Sequence, residues 1–311
     1  MSDSGVTVLH RKPLWKQIVD NRVLFLFCIP GIIITIIFHY VPLYGVQIAF
    51  RDYSVRRGIW GSAWVGWEHF IRFFNSPNAA QIIWNTFVLS MYSLVVGFPI
   101  PIILALLLNS FRHKTYGKVI QTITYAPNFI SVVVMCGMII LFLSPRVGMV
   151  NKIIEMFGSD SVNFMGERTM WRHIYVWTGV WQTMGWNSVV YFAALAGVSP
   201  DMHEAAIVDG ASKMQRIFHI DLPSIMPVAV MLLILSFGSM LSIGFEKAYA
   251  LQNDLNLNVS EIISTYVYKV GILQNSQAYS TAVGLFNSVV NAILLVTVNS
   301  VSRKLSDNAL W

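Results

Sequence analysis

The residues best suited to chemistry form a short polar set: Glu204, Ala205, Ala206, Asp209 and Gly210, followed by Ile220, Leu222 and Pro223. Their chemistry is recognition. A carboxylate such as Glu204 takes a charge-assisted hydrogen bond from an Arg or Lys of a partner. Alanines at 205 and 206 let another backbone come close. No catalytic set accompanies them, since neither a metal-ligand cluster nor a nucleophile–base pair stands out. No G-x-x-x-x-G-K-[ST] loop is present, so the chain is not expected to bind ATP itself. Cys28 and Cys136 both fall in apolar runs and point to no disulfide framework or metal site. His39 is a lone histidine near the end of an apolar run and reads as an interfacial residue.

Local signals say how these residues are held. Ser199-Pro200-Asp201 reads as an N-cap, a proline at the first helical position and an acid in the first turn. A short helix is expected to about Asp209. Gly210 ends it, because a left-handed position costs glycine nothing. Ser212-Lys213-Met214-Gln215 has the form of a capping box that starts a second helix. Met214, Ile217 and Phe218 give that helix an apolar face, and Leu222-Pro223 is expected to stop it. The prediction is helix, glycine elbow, helix, lying at a membrane surface.

The membrane follows from composition. Hydrophobic residues make up 55% and charged residues 12% of the chain, with mean hydropathy +0.60. A soluble domain carries about twice that charge. No charged residue lies between Arg22 and Arg51, Arg72 and Arg112, Lys118 and Arg146, Arg172 and Asp201, Asp221 and Glu246, or Lys269 and Arg303. Each gap exceeds the roughly 20 residues a spanning helix needs. Because the runs do not alternate, a barrel is excluded. The expected fold is an all-α integral membrane protein with six transmembrane helices near 23–44, 82–108, 119–143, 174–197, 225–246 and 280–301. These make one integral membrane domain over 23–302, between a terminal segment 1–22 and a tail 303–311. The first run is too long for a signal-peptide core and reads as an uncleaved helix.

Arg11, Lys12, Lys16 and Arg22 precede the first run; Arg112, Lys114 and Lys118 lie in a short acid-free loop; Arg303 and Lys304 follow the last run. The positive-inside rule puts all three groups, and hence both termini and the loop 198–224, in the cytoplasm. The loops around 48–81 and 145–172 are also basic, but they are longer and contain acids, so they weigh less. The net charge of +6 is spread over the loops and reads as membrane-edge charge with no nucleic-acid surface.

The pattern E-A-A, three residues, G, nine residues, I-x-L-P resembles the signature of the membrane subunits of bacterial ATP-binding-cassette importers. Six spans with that motif between the fourth and fifth resemble the core of the maltose-type sugar permeases, a type I importer fold. Tyr40-Val41-Pro42-Leu43-Tyr44-Gly45, Ala49-Phe50-Arg51-Asp52-Tyr53-Ser54, Gly58 to Gly66 and Gly284 to Asn291 look like the branch importing oligosaccharides released from polysaccharides. The resemblance covers roughly residues 20–305. It implies that the helix after Ser199 is a cytoplasmic coupling helix that fits a groove on an ATPase. It also implies a second permease subunit, in a heterodimer, two ATPase subunits and an external solute-binding protein, in a bacterial cytoplasmic (inner) membrane. No cofactor is expected on this chain; ATP and magnesium would belong to the partner ATPase.

Candidate path residues lie in the fourth and sixth runs. Trp177, Trp181, Met184, Ser188 and Tyr191 share one helical stripe, with Gln182 and Asn187 nearby. Aromatic faces stack on sugar rings, and amides and hydroxyls bond sugar hydroxyls. Packing and interfacial anchoring explain the same stripe. Asn287 and Asn291 sit one turn apart and suit either a polar path or interhelical bonding. Glu246-Lys247 reads as a solvated pair ending the fifth span. Trp60, Trp64 and Trp67 have helical spacing and suit an interfacial helix or a docking site. An ion-coupled secondary transporter of a polar solute is the alternative; the absence of Asp, Glu, Lys and Arg from the six cores counts against it.

Overall fold

The computed structural model describes residues 20–111 and 114–305, with Lys114 and Leu305 described in backbone only. Arg11, Lys12, Lys16, Arg112 and the tail 306–311 lie outside the described residues, as does most of the segment 1–22. All regular structure among the described residues is helical, apart from a lone antiparallel bridge between Arg51 and Trp64.

Four helices combine the length and apolar composition needed to cross a bilayer: Arg22–Phe50, Ala79–Asn109, Lys213–Gly238 and Gln277–Lys304. A fifth crossing is present if Thr115–Phe129 and Val132–Phe142 count as one, and that pair is bent by 97°. The helix Arg168–Leu195 is long enough at 28 residues, but Thr178, Gln182, Thr183, Asn187 and Ser188 make its centre polar. Among the described residues the structure therefore gives four apolar spans, or five with the bent pair, against the six expected.

Arg168–Leu195 is the central element. It packs on Ala79–Gly97, Pro99–Asn109, Lys114–Tyr125 and Leu222–Gly238. Gly185 sits at its closest approach to a neighbour: a Cβ there would lie 2.1 Å from the Thr124 carbonyl oxygen. One core gathers Leu89, Met135, Cys136, Trp171, Tyr175, Val176 and Leu251. Trp171 is fully buried, stacks on Tyr175 and donates its indole N–H to the Leu251 carbonyl at 3.0 Å. Leu222–Gly238 and Gln277–Leu305 pack together on the far side. The first helix differs from the rest. None of Arg22–Leu43 is buried, and only its Tyr44–Phe50 end packs, on Gln277–Leu305.

Two of the expected spans are interrupted. The third, expected as one helix over 119–143, stops at Tyr125, makes a 3-10 turn over Ala126–Phe129 and restarts at Val132 with Ser131 as its N-cap. Pro127 at the start of that turn cannot supply a helical N–H. The fifth, expected over 225–246, starts at Lys213 and ends at Gly238, eight residues early. A Ser/Gly-rich stretch, 239–244, separates it from a short helix Phe245–Ala250. Backbone freed inside a bilayer must find partners. Side-chain amides from neighbouring helices provide them. Gln182 donates to the Ile130 carbonyl at 2.9 Å. Asn291 accepts from the Leu241 N–H at 2.9 Å and donates to Ser242 Oγ at 2.9 Å, while Asn287 donates to the Leu241 carbonyl at 3.3 Å.

Prolines act differently elsewhere. Ile36–Tyr40 and Ile217–Asp221 are π-turns, each immediately before a short step to Pro42 or Pro223. A proline ring clashes with the carbonyl four residues back, and a wider i→i+5 turn relieves that clash without ending the helix. Pro223 thus does not stop the second loop helix, which runs on into the fifth span. The tryptophans at 60, 64 and 67 are also not on one helix. Gly58 and Gly66 take φ of +65° and +60°, and a Cβ at Gly61 would meet the Arg57 carbonyl oxygen at 2.5 Å, so the segment folds as turns. Trp64 stacks on Phe50, and Trp67 meets Phe50 edge-on.

Candidate functional site

The loop 198–224 is built from local backbone satisfaction. The helix Pro200–Val208 begins with Ser199 Oγ accepting from the Asp201 N–H at 3.3 Å. It ends in a Schellman pair: Ala211 N–H to the Ala206 carbonyl at 2.8 Å and Gly210 N–H to the Ile207 carbonyl at 3.0 Å. That closure needs the left-handed φ of +78° at Gly210. Ser212 and Gln215 then form the reciprocal capping box, at 3.3 and 2.7 Å. Asp209 is the residue at the first helix's C-cap.

Much of this elbow's surface is open, and Glu204 lies at the rim of the cavity between the loop and the helix ends. The Glu204 side chain is exposed and has no hydrogen bond or ion pair among the described residues. Around it Met202, Ile207 and Val208 are exposed, Val208 at 87%, as are Met214 and Phe218. The apolar face expected at 214, 217 and 218 is therefore split: Ile217 is buried against the bundle, and the other two point away. Ile220 is buried, and Leu222 packs on the core made by Leu195, Ile217 and Ile225.

Three side chains to which sequence reasoning gave no role tie the elbow to the bundle. His203 Nε2 lies 3.3 Å from Asp221 Oδ1, and Asn109 Nδ2 reaches the same oxygen at 3.5 Å. The Asp221 side chain is only 6% exposed. These groups edge a cavity of about 420 Å³ between the loop and the helix ends. A lone acid at the head of an apolar run was the available signal, because a buried carboxylate requires a partner.

A second cavity of about 710 Å³ lies among Ala79–Asn109, Arg168–Leu195 and Lys213–Gly238. Of the path candidates, Gln182, Asn187 and Tyr191 line it. Trp177 and Trp181 do not; both are about half exposed on another face, and Trp177 donates to the Tyr92 hydroxyl at 2.9 Å. Ser188 is fully buried and bonds back to the Gly185 carbonyl. Asn287 and Asn291 are spent on the 239–244 break. The helix face turned to the cavity includes Val176, Gly179, Thr183, Trp186, Asn187 and Val190, more than about a third of a turn from the expected stripe. Lys247, read as solvated, is 7% exposed on this cavity's wall.

Membrane-length helices around a cavity of mixed, mainly apolar lining, with a capped polar loop at one end, define a membrane transport component. Residues 97–307 match the family described as "Binding-protein-dependent transport system inner membrane component", and the chain belongs to that family. It is 40% identical over 301 residues to the "Polygalacturonan/rhamnogalacturonan transport system permease protein YteP" of Bacillus subtilis (strain 168), covering 97% of this chain and 94% of that protein. It is 41% identical over 291 residues to "Protein LplB" of the same organism, covering 94% of this chain and 92% of that one. Its fold matches a chain of a bacterial ABC transporter involved in the import of the acidic polysaccharide alginate, at TM-score 0.87 and 37% identity. That match covers 95% of this chain and 100% of the other. The family is a transport component, not an enzyme.

Proposed function

We propose that this chain is half of the translocation path of an ATP-driven, solute-binding-protein-dependent importer of oligosaccharides. Six crossings are proposed, with the bent third and the polar fourth counted among them. Both termini and the loop 198–224 then face the cytoplasm. Glu204, Ala205, Ala206, Asp209, Gly210, Ile220, Leu222 and Pro223 form or brace the contact with a separate ATPase, which binds the ATP and magnesium. A second, different permease subunit supplies the other half of the path; the uncovered flank of Arg22–Leu43 supports a neighbour there. A solute-binding protein delivers the sugar from outside, and one of the solved relatives is a complex with an alginate pentasaccharide-bound periplasmic protein. Ion-coupled transport is not favoured, given the family.

The observation that carries the coupling role is the unpaired Glu204 beside exposed Met202, Ile207 and Val208, on a helix locked at both ends. A rigid, capped element transmits a push, and a loose loop does not. The test is ATP hydrolysis stimulated by the binding protein in proteoliposomes. Glu204→Ala removes the charged dock, and Gly210→Pro cannot take φ of +78°. Both are expected to assemble and to lose stimulation. Full stimulation and uptake by both variants would overturn the coupling role.

A further inference from the structure

Lys247 has surroundings that its structural contacts do not account for. Its Nζ donates to the Tyr175 carbonyl at 2.7 Å and lies 4.9 Å from the centre of the Tyr175 ring. A carbonyl of a helix is ordinarily screened by the side chain four residues on; here that residue is Gly179, where a Cβ would stand 3.0 Å from Nζ. The missing side chain makes the socket. Carbonyl and ring offer partial negative charge only, so the ammonium's net charge stays uncompensated in a buried place. Among the described residues, the ion pairs are Arg57–Asp52, His203–Asp221 and Lys269–Glu261, and none involves Lys247. No Asp or Glu lines the 710 Å³ cavity whose wall Lys247 joins. The same wall carries two further polar atoms in need of partners: Ser90 Oγ and Ser93 Oγ are buried without a hydrogen bond. Asn187 adds an amide.

We propose that Lys247 reads a carboxylate on the transported sugar, so that the path is built for acidic, uronate-bearing oligosaccharides. This rests on the reading of the chain as an oligosaccharide importer subunit. An ammonium has three donors. One is held by the Tyr175 carbonyl, and two are left for the carboxylate. Ser90, Ser93 and Asn187 meet ring hydroxyls. A single cation without a second Arg or Lys on the cavity wall matches a monoanion better than a phosphate dianion.

The test compares uptake of trigalacturonate and its methyl ester by the complete importer in proteoliposomes. The two probes have the same length and sugar ring, and the binding protein is the same in every arm, so its own preference cancels between variants. Lys247→Met is expected to lower the acid-to-ester uptake ratio about tenfold or more, the scale of a lost charged hydrogen bond. Lys247→Arg keeps the ratio within about threefold, because the charge remains. Gly179→Ala crowds Nζ and shifts the ratio the same way as Lys247→Met; it carries the test if Lys247→Met fails to assemble. An unchanged ratio overturns the proposal, even if total uptake falls, since a merely structural lysine affects both probes alike. Wild-type uptake of the ester alone also overturns it while leaving oligosaccharide import intact. Uptake of neither probe sinks the importer reading itself.

Discussion

In the loop 198–224, capping side chains answer backbone groups two or three residues away. Around the cavity, polar side chains answer backbone groups 46 to 72 residues away. The first kind of bond shapes a local element and leaves its outer face unspent. The second kind stitches separate helices together and consumes the polar groups that make it. Glu204 in the loop is therefore available for a partner, whereas Gln182, Asn287 and Asn291 in the bundle are first structural ties.

The contrast is broken or sharpened by substitutions in both regions, ranked by their cost to stability. Gly185→Leu has the largest expected effect, because its first carbon already overlaps the Thr124 carbonyl. A loss of about 3 kcal/mol or more is expected, read as failure to purify as a monodisperse complex. Asn291→Leu follows, at about 2 kcal/mol, by leaving the Leu241 N–H unanswered within the bundle. Thermal unfolding in detergent measures it; a change under about 0.5 kcal/mol would show that the amide is not a tie. Ser212→Ala removes half of a capping box and is expected to cost about 1 kcal/mol, with stimulated ATPase reduced but present. Glu204→Ala is the smallest, within about 0.5 kcal/mol, since the side chain bonds nothing among the described residues. Yet it is expected to abolish coupling. If Glu204→Ala destabilises the chain as much as Asn291→Leu does, the distinction between the regions fails.

The same distinction explains what could be read in advance. Ser199, Gly210 and the Ser212–Gln215 box announce their structure within a few residues, and the elbow has the predicted form. The charge-free runs located four helices long and apolar enough to cross a membrane, and a bent pair in a fifth run, because lipid excludes charge along the whole length of a span. They did not reveal the breaks. Pro127 and the Ser/Gly-rich stretch after Ser236 were visible, but a run without charges looks the same whether its helix is whole or interrupted. Lys247 was misplaced for that reason: with the fifth span extended to 246, it fell at an edge, whereas the early stop at Gly238 turns the chain back into the bundle. Gln182, Asn287 and Asn291 were recognised as unusual within apolar runs. Which of them faces the cavity depends on helix rotation and on distant breaks, and neither leaves a local mark. The wall face of Arg168–Leu195 lies more than about a third of a turn from the aromatic stripe because its lining is set by small residues such as Gly179 as much as by polar ones.

The π-turn at Ile217–Asp221 has a consequence for how the chain tolerates change in length. Such a turn holds one residue more than an α-helix would over the same rise. Deleting a single residue there would let the helix close into regular α form. Everything before the turn would keep nearly the same setting about the axis of the fifth span, because the wide turn takes up its extra residue with almost no added rotation. A deletion within Lys213–Arg216, which has no wide turn to absorb it, would instead rotate the preceding helix by about 100°, so that His203 leaves Asp221 and the face bearing Glu204 looks toward a different quadrant. The angular setting of the dock is thus buffered against a one-codon slip at the turn and exposed to one just before it.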